Sequence, residues 1–363
     1  MKIAQLSPLY ESVPPRYYGG TERVVHYLTE ELVAQGHDVT LYASGDSQTR
    51  ATLVPGSETA LRLNGNTVDA LAPHFTMMER IEKDAHKFDI IHSHVVYLFY
   101  PFIKRNNYHI VTTLHGRLDI PELQPLYQEY FDIPVVSISG SQRTPLPKAN
   151  WKGTVHHGLP LELYTYNAVA GQYLVYVGRI SPEKRIDRAI DIAIRAGVPL
   201  RIAAKVDKAD KAYFDDSIKK LLNHPLIEML GEVNDREKQE LLGGALGLLF
   251  PIDWPEPFGL AMIEAMACGT PVIAYKCGSV PEVVDEGVTG FVVSSQEEAV
   301  EAVGKLPQLS REACRKTFER KFSVQRMTRD YLSVYKLIMK QGNKKIPGII
   351  QDTPLKTGYG KKA

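Results

Sequence analysis

At 363 residues the chain is longer than one ordinary domain, so length alone leads us to expect two. Its 44% apolar and 23% charged residues are those of a globular chain with sizeable cores. With 43 basic against 42 acidic residues the net charge is +1, which excludes the basic surplus that nucleic-acid binding requires.

Three cysteines, Cys268, Cys277 and Cys314, show neither metal-ligand spacing nor a disulfide framework, and suit a reducing compartment. The opening MKIAQLSPLYESVPP lacks an uninterrupted apolar stretch and does not read as a signal peptide. The longest apolar runs, such as VVYLFYPFI (95–103), are too short to span a bilayer. A cytoplasmic location is the expectation.

Strand-like runs alternate with helical ones along the chain, as parallel βαβ sheets require. In the first half, strands are read at KIAQLS (2–7), DVTLYA (38–43), DIIHSH (89–94), HIVTTLH (109–115) and VVSIS (135–139). Between the first two, Val24, Val25, Leu28, Leu32 and Val33 recur at helical spacing, and Gly36 ends the helix. At WKGTVHHGLP (151–160) turn-forming residues break the rhythm and mark a join. The second half restarts with YLVYVG (173–178), LRIAAK (200–205), IEMLGEV (227–233), LGLLFP (246–251), PVIAY (271–275) and GFVVS (290–294). Helices are expected between them, at 184–195 and 296–305 for instance. The stretch 311–341 also reads as helical, with seven basic and two acidic residues in 311–329. Its basic face is read as solvated, with membrane-surface contact the open alternative that nothing else indicates. The tail 342–363, rich in Gly, Pro and Lys, is expected to be disordered.

Parallel α/β sheets bind ligands outside the carboxyl ends of their strands. Two such sheets facing each other would share one cleft, and five groups of residues follow predicted strands. Tyr18-Gly19-Gly20-Thr21 opens the first helix, where glycines admit a ligand to the backbone and the helix start offers N–H groups to an anion. Turn chemistry alone also accounts for the pair. In Gly178-Arg179-Ile180-Ser181-Pro182-Glu183-Lys184, Arg179 and Lys184 flank a turn at a helix start and suit a diphosphate. A surface pair on a loop is the alternative.

The third group is PEPFGLAMIEAMACGTP (255–271). Glu256 lies in the loop after LGLLFP, ahead of a helix expected at 259–268. First-turn N–H groups of Phe258, Gly259 and Leu260 favour negative charge in the cleft. Glu256 can then accept hydrogen bonds from sugar hydroxyls, and Glu264 from a second hydroxyl pair. Two carboxylates on polyols and a helix terminus on phosphate describe a nucleotide-sugar site. His115 stands on the opposing edge, either structural or part of the site. His92, His94, His156 and His157 are not read as a metal centre, since no carboxylate or cysteine stands at ligand spacing. The chain also has no Asp-x-Asp to hold a divalent ion against a diphosphate. No metal or cofactor is expected, and Arg179, Lys184 and the helix start are left to neutralise a leaving group.

Together these motifs resemble the retaining family-four glycosyltransferases, over roughly residues 1–340. The most specific part is Glu256-Pro257-Phe258-Gly259 with Glu264, the E-x7-E signature, inside DWPEPFGLAMIEAMACGTPVIA. Gly19-Gly20, DIIHSH, TLHG, VGRISPEK and FSVQRMTRDYLSVY support it by their order and spacing. The resemblance implies the GT-B architecture, an α/β fold of two Rossmann-like domains whose parallel sheets face each other across a cleft. Residues 1–155 would form the acceptor side, completed by a C-terminal helix at 325–341 that crosses back. Residues 160–320 would form the donor side.

The resemblance also implies roles. Arg179 and Lys184 would hold the diphosphate of an NDP-sugar and stabilise its departing charge. Glu256 would bind sugar hydroxyls, Glu264 the ribose hydroxyls, and the amides of Phe258, Gly259 and Leu260 phosphate or sugar. Gly19 and Gly20 would lie beside the diphosphate, His115 would orient the donor sugar, and the base would rest on Met229, Leu230 and Val233. The implied reaction is metal-free and retaining, moving a hexose from a UDP- or GDP-linked donor to a hydroxyl of a saccharide, a lipid-linked sugar or a small metabolite. The departing phosphate would accept the proton, since the N-terminal half offers no carboxylate recognisable as nucleophile or base.

Two departures stand out. His156-His157-Gly158-Leu159-Pro160 replaces the family's Pro-Asn-Gly-Val-Asp at the join, which puts hinge contacts to the donor in question. The loop LYESVPPRYY (9–18) is aromatic and Pro-rich, and either shapes the acceptor site or packs between domains. A phosphorylase or epimerase on the same scaffold, and a non-catalytic nucleotide-sugar binder, are the rival readings that turnover would separate.

Overall fold

The computed structural model describes residues 1–16, 19–62, 67–106 and 108–341. Expectations for the tail and for Tyr18 lie outside the described residues. Seven strands form the first sheet: β1 (Lys2–Leu6), β2 (Asp38–Ser44), β3 (Thr52–Ser57), β4 (Ile90–Ser93), β5 (Ile110–Thr113), β6 (Val135–Ser137) and β7 (Trp151–Thr154). Six form the second: β8 (Leu174–Arg179), β9 (Leu200–Lys205), β10 (Ile227–Gly231), β11 (Gly247–Phe250), β12 (Val272–Tyr275) and β13 (Gly290–Val293). Their orders are β3-β2-β1-β4-β5-β6-β7 and β10-β9-β8-β11-β12-β13. Pairing is parallel throughout both sheets, for example Ile3 with Val39 and Ile90, or Tyr176 with Ile202. Each order reverses once, between β1 and β4 and between β8 and β11, and such reversals open a crevice for ligands.

The first sheet carries α1 (Gly20–Ala34), α2 (Leu71–Asp84), α3 (Tyr100–Arg105) and α4 (Leu123–Glu129). The second carries α5 (Ile186–Ala196), α6 (Lys211–Tyr213), α7 (Asp235–Gly243), α8 (Leu260–Ala267), α9 (Val280–Val283), α10 (Gln296–Lys305) and α11 (Arg311–Lys321). The last helix, α12 (Val324–Gln341), returns to the first lobe and packs on α1. Val324, Met327, Tyr331, Val334, Tyr335 and Ile338 recur on its buried face at helical spacing. Each such apolar side chain contributes about 1.5–3 kcal/mol relative to exposure, so the crossing helix belongs to the first lobe's core. None of the described helices is long and apolar enough to cross a membrane.

The sequence pattern misses β3 and β7 for one reason. Both are edge strands, where one paired side suffices, so β3 tolerates Pro55 and Gly56, and β7 is only Trp-Lys-Gly-Thr. The join therefore begins after Thr154 and not at 151. There the chain crosses between lobes twice, side by side. Leu159 N–H donates to Phe322 C=O at 2.9 Å and Val324 N–H to Leu159 C=O at 2.8 Å. Gly158 is required at this crossing, because a Cβ would sit 2.4 Å from the Ser323 carbonyl oxygen.

The basic run at 311–329 is the expected solvated face only in part: Lys316, Arg320 and Arg329 are exposed, whereas Arg311, Arg315 and Arg326 turn inward. The Arg311 guanidinium is buried and donates to the carbonyls of Asn167 (2.7 Å), Gly243 (2.7 Å) and Ala245 (2.9 Å). Arg315 donates to those of Leu161, Tyr164 and Ala267, each at 2.8 Å. Arg326 donates to His156 (2.7 Å) and His157 (2.9 Å) at the crossing. Helix ends leave carbonyls without helical partners, and five rigid guanidinium donors collect several at once.

Candidate active site

The two crevices meet in one cleft of about 680 Å³. Its walls take Gly19 to Arg23 after β1, His94 after β4, Arg179 and Lys184 after β8, and Glu256 to Glu264 after β11. The starts of α1 and α8 oppose each other across it: a Cβ on Gly20 would stand 3.7 Å from Leu260 Cδ1 of the other lobe. Both helix starts are glycine for steric reasons. A Cβ on Gly19 would press Pro15 at 2.7 Å, and Gly259, at φ +86°, has the Phe250 ring 2.9 Å from the same point. Two N-termini thus aim their partial positive charge into a single space.

Ion pairs line the donor-side wall. Lys184 Nζ is bonded to Glu256 Oε2 and lies 5.0 Å from the centre of the Trp254 ring, whose Nε1 donates to the same carboxylate oxygen at 3.0 Å. Arg179 donates to Glu183 at 2.7 Å and has Asp207 and Asp210 at 3.8 and 3.7 Å. Glu264 is 4% exposed and accepts from Lys238 Nζ at 2.8 Å. The two cations expected for a diphosphate are therefore each held by a carboxylate, at positions where an incoming anion would compete. Gly278 and Ser279 brace the Glu256 loop: Ser279 N–H donates to Glu256 C=O at 3.0 Å and its hydroxyl to Phe258 C=O at 2.7 Å. A Cβ on Gly278 would lie 2.4 Å from Glu256 N.

Beside Glu22, Arg23 and Arg62, the opposite wall is backed by a neutral hydrogen-bonded chain. Gln5 Nε2 donates to Tyr335 Oη (3.1 Å), which leaves Gln5 Oε1 to accept from His94 Nε2 (2.9 Å). A neutral imidazole has one N–H, so His94 Nδ1 accepts from His115 Nε2 at 2.8 Å. In the other direction Tyr335 Oη donates to His92 Nδ1 (2.7 Å), and His92 Nε2 donates to Thr113 Oγ1 (2.7 Å). Thr113 then donates to Tyr331 Oη at 3.1 Å. Burial holds His92 and His94 well below the usual imidazole range and pushes His115 down to about 3. The chain runs from the cleft into the crossing helix, and both ring nitrogens of His92 and of His94 are engaged by protein.

Every expected site residue except Met229 and Leu230 reaches the cleft. Met229 packs into the core beneath the second sheet and Leu230 is 41% exposed to solvent. The pleat of edge strand β10 turns both away, and Val233, beyond the strand, is the member that lines the cleft. His115 is present, although its Nε2 is committed to His94 and its Nδ1 has no partner among the described residues. Of the two histidines of the join, His157 is part of the wall. His157 stacks on His115 (5.3 Å) and meets Phe258 edge-on (4.9 Å), while His156 bonds Glu282 at 3.2 Å. Sequence reading also passes over Trp254, Lys238 and the Gln5–Tyr335 contact, whose partners are 330 residues apart. It further overlooks Glu11 and Glu22, buried carboxyls of the first lobe. Position after a strand and the spacing of Glu22 in the first helical turn were the available signals.

Two opposed Rossmann-type lobes with charged groups at both strand-end crevices are the GT-B architecture. Residues 18–150 match the model described as Glycosyltransferase Family 4, and residues 168–320 that of Glycosyl transferases group 1. The chain belongs to the family-four glycosyltransferases. An uncharacterized glycosyltransferase of Methanocaldococcus jannaschii is 26% identical over 94% of this chain and 99% of its own. Among solved structures, sucrose-phosphate synthase from Thermosynechococcus elongatus superposes with a TM-score of 0.77 at 17% identity, covering 94% of this chain and 99% of that one. Anabaena HepE, solved in complex with UDP and glucose, gives 0.71 at 19% identity, covering 93% and 100%.

Proposed function

We propose that the chain transfers a hexose, with retention and without a metal ion, from a UDP- or GDP-linked sugar to a hydroxyl acceptor. The observation that carries this is the convergence of Arg179, Lys184 and two helix N-termini on one cleft that also holds Glu256 and Glu264. The relative that binds UDP and glucose favours a uridine carrier. Residues 1–155 with 325–341 are assigned to the acceptor side and 160–320 to the donor side.

On binding, the diphosphate exchanges the carboxylate partners of Arg179 and Lys184 for its own oxygens. That frees Glu256 for hydroxyls of the sugar, while Glu264 takes the ribose and Val233 the base. Amides at Phe258, Gly259 and Leu260, with Gly19 and Gly20 opposite, complete the anion site. His115 flanks the sugar, with Nδ1 the nitrogen left to meet it. The bond from the anomeric carbon to phosphate oxygen breaks with both electrons leaving on the nucleoside diphosphate. The acceptor oxygen bonds that carbon from the same face, and its proton passes to the departing oxygen. Fixed cations that grip the leaving charge more strongly as it develops are the source of rate. The cysteine content favours a reducing, cytoplasmic setting.

The test is incubation with a panel of UDP- and GDP-hexoses, with and without EDTA, following nucleotide release. Release that survives EDTA is expected. No binding and no release with any donor would defeat the reading.

A further inference from the structure

The donor reading gives Trp254 no task, yet its indole is tied to two of the residues that reading uses. Its Nε1 donates to Glu256 Oε2 at 3.0 Å, and Lys184 is bonded to the same oxygen. Lys184 Nζ also lies 5.0 Å from the ring centre, and the Arg117 guanidinium of the first lobe lies 5.8 Å from it. The indole is half-buried and carried by a tight frame. Glu256 N–H donates to Trp254 C=O at 2.7 Å, closing a three-residue turn centred on Pro255, whose ring fixes φ. On the other side Asp253 N–H donates to Glu183 C=O at 2.9 Å, and its carboxylate accepts from Arg185 at 2.8 Å and Arg188 at 3.2 Å. The loop carrying Glu256 is thereby laced to the loop carrying Arg179 and Lys184, with Trp254 at the seam.

A carboxylate that reads sugar hydroxyls has to keep its orientation when the diphosphate arrives. Among the described residues, the Glu256 side chain has two donors, both on Oε2, and they respond differently to an incoming anion. Lys184 is an ammonium on a flexible four-carbon stem, and a diphosphate draws it away. The indole N–H is neutral, donates only, and sits on a rigid ring. Phosphate oxygens gain little from it, and the turn through Pro255 keeps it in place. The Glu256 side chain is 12% exposed and, without Lys184, would stand beside the new negative charge. Left with no donor it would turn from that charge, and its sugar contact would go with it. The Trp254 N–H opposes this turn, and by holding Oε2 it leaves Oε1 to accept from the sugar.

We propose that Trp254 is a positioning residue for donor-sugar recognition, its indole N–H holding the Glu256 carboxylate on the sugar after the diphosphate has taken Lys184. The proposal rests on the donor reading, and its test separates the two. The probes are the UDP- or GDP-hexose that supports nucleotide release and the matching free nucleotide, which lacks the sugar. Trp254→Phe keeps an aromatic ring beside Lys184 and Arg117 and deletes the N–H. It should lower kcat/KM for the nucleotide-hexose by ~10-fold or more, the size of one hydrogen bond to a charged group, while free-nucleotide affinity stays within about two-fold. Pro255 is exposed, and Pro255→Gly leaves the indole in place while loosening its turn. It should give the same split at ~3-fold. In a Glu256→Ala background Trp254→Phe should add no more than about two-fold, because the residue it acts through is gone. Equal losses of free-nucleotide affinity and nucleotide-hexose turnover in both single variants, or no loss of either, would overturn the proposal. So would a full ~10-fold loss on top of Glu256→Ala. In each of these outcomes wild-type nucleotide binding would leave the donor reading standing. Wild-type protein that binds no nucleotide and releases none would overturn both.

Discussion

The two lobes share a topology and solve the problem of buried polarity in opposite ways. The donor lobe lines its half of the cleft with full charges in pairs, Lys184 with Glu256 and Lys238 with Glu264. The first lobe threads its sheet with neutral rings, amides and hydroxyls from His115 to Tyr331. Paired charges at an open wall can trade partners with a ligand, so they are machinery at rest. A neutral chain closed on itself has little left to offer a ligand, and its work is to hold the crossing helix against the sheet and fix the ring at the cleft.

The widest separation between the lobes should come with acid. His92, His94, His115 and His157 are all held below the usual imidazole range by burial. The folded chain keeps them neutral and the unfolded chain binds protons below pH 6.5. Their contribution is therefore whole above that value and lost as pH falls toward their folded values, at about 1.4 kcal/mol per pH unit for each ring that titrates. Thermal melts at stepped pH should show a steep loss from pH 6.5 to 5. Melts that are flat across this window would mean the rings are not buried neutral.

Next in size, Arg179→Gln should lower kcat by about 10²–10³ while stability shifts by less than about 1 kcal/mol, because its ion pairs are a third exposed. Steady-state kinetics beside a denaturant titration would check the split. Tyr335→Phe should do the reverse. It removes the hydroxyl shared by Gln5 and His92 and should cost ~1–3 kcal/mol in a urea titration, with UDP affinity unchanged. Close to it in size is Arg23→Gln, which removes a largely buried guanidinium bonded to Asp235 between the lobes and to Tyr27. A loss of about 1–3 kcal/mol in the urea titration is expected, and no loss would show that the pair does not hold the lobes together.

Much of this comparison is legible in the sequence, and unevenly. Central strands such as those in LGLLFP and PVIAY announce themselves because every residue of Gly247–Phe250 and of Val272–Tyr275 is buried. Edge strands β3 and β7 do not, since one-sided pairing relaxes their composition. The donor wall is legible because its acids and cations sit in short segments after strands, so Arg179, Lys184, Glu256 and Glu264 can be picked out by position. Their pairing is not, because Lys184 and Glu256 come from segments 72 residues apart. The first lobe's chain is least legible of all. His92 and His94 look like an idle H-x-H until Tyr335 arrives from the far end of the polypeptide. Met229 lies outside the cleft lining for a local reason, the pleat direction at an edge strand, which spacing alone does not reveal.

The central claim is that the donor lobe's cations and helix start hold a diphosphate with no bridging metal. Calorimetric titration of UDP in EDTA, into wild type and into the Arg179→Gln, Lys184→Gln double variant, tests it most directly. The account predicts binding by wild type and a loss of at least ~100-fold, about 2.7 kcal/mol, in the double variant. Equal affinity in the two proteins, or wild-type binding that appears only when magnesium is restored, would contradict it.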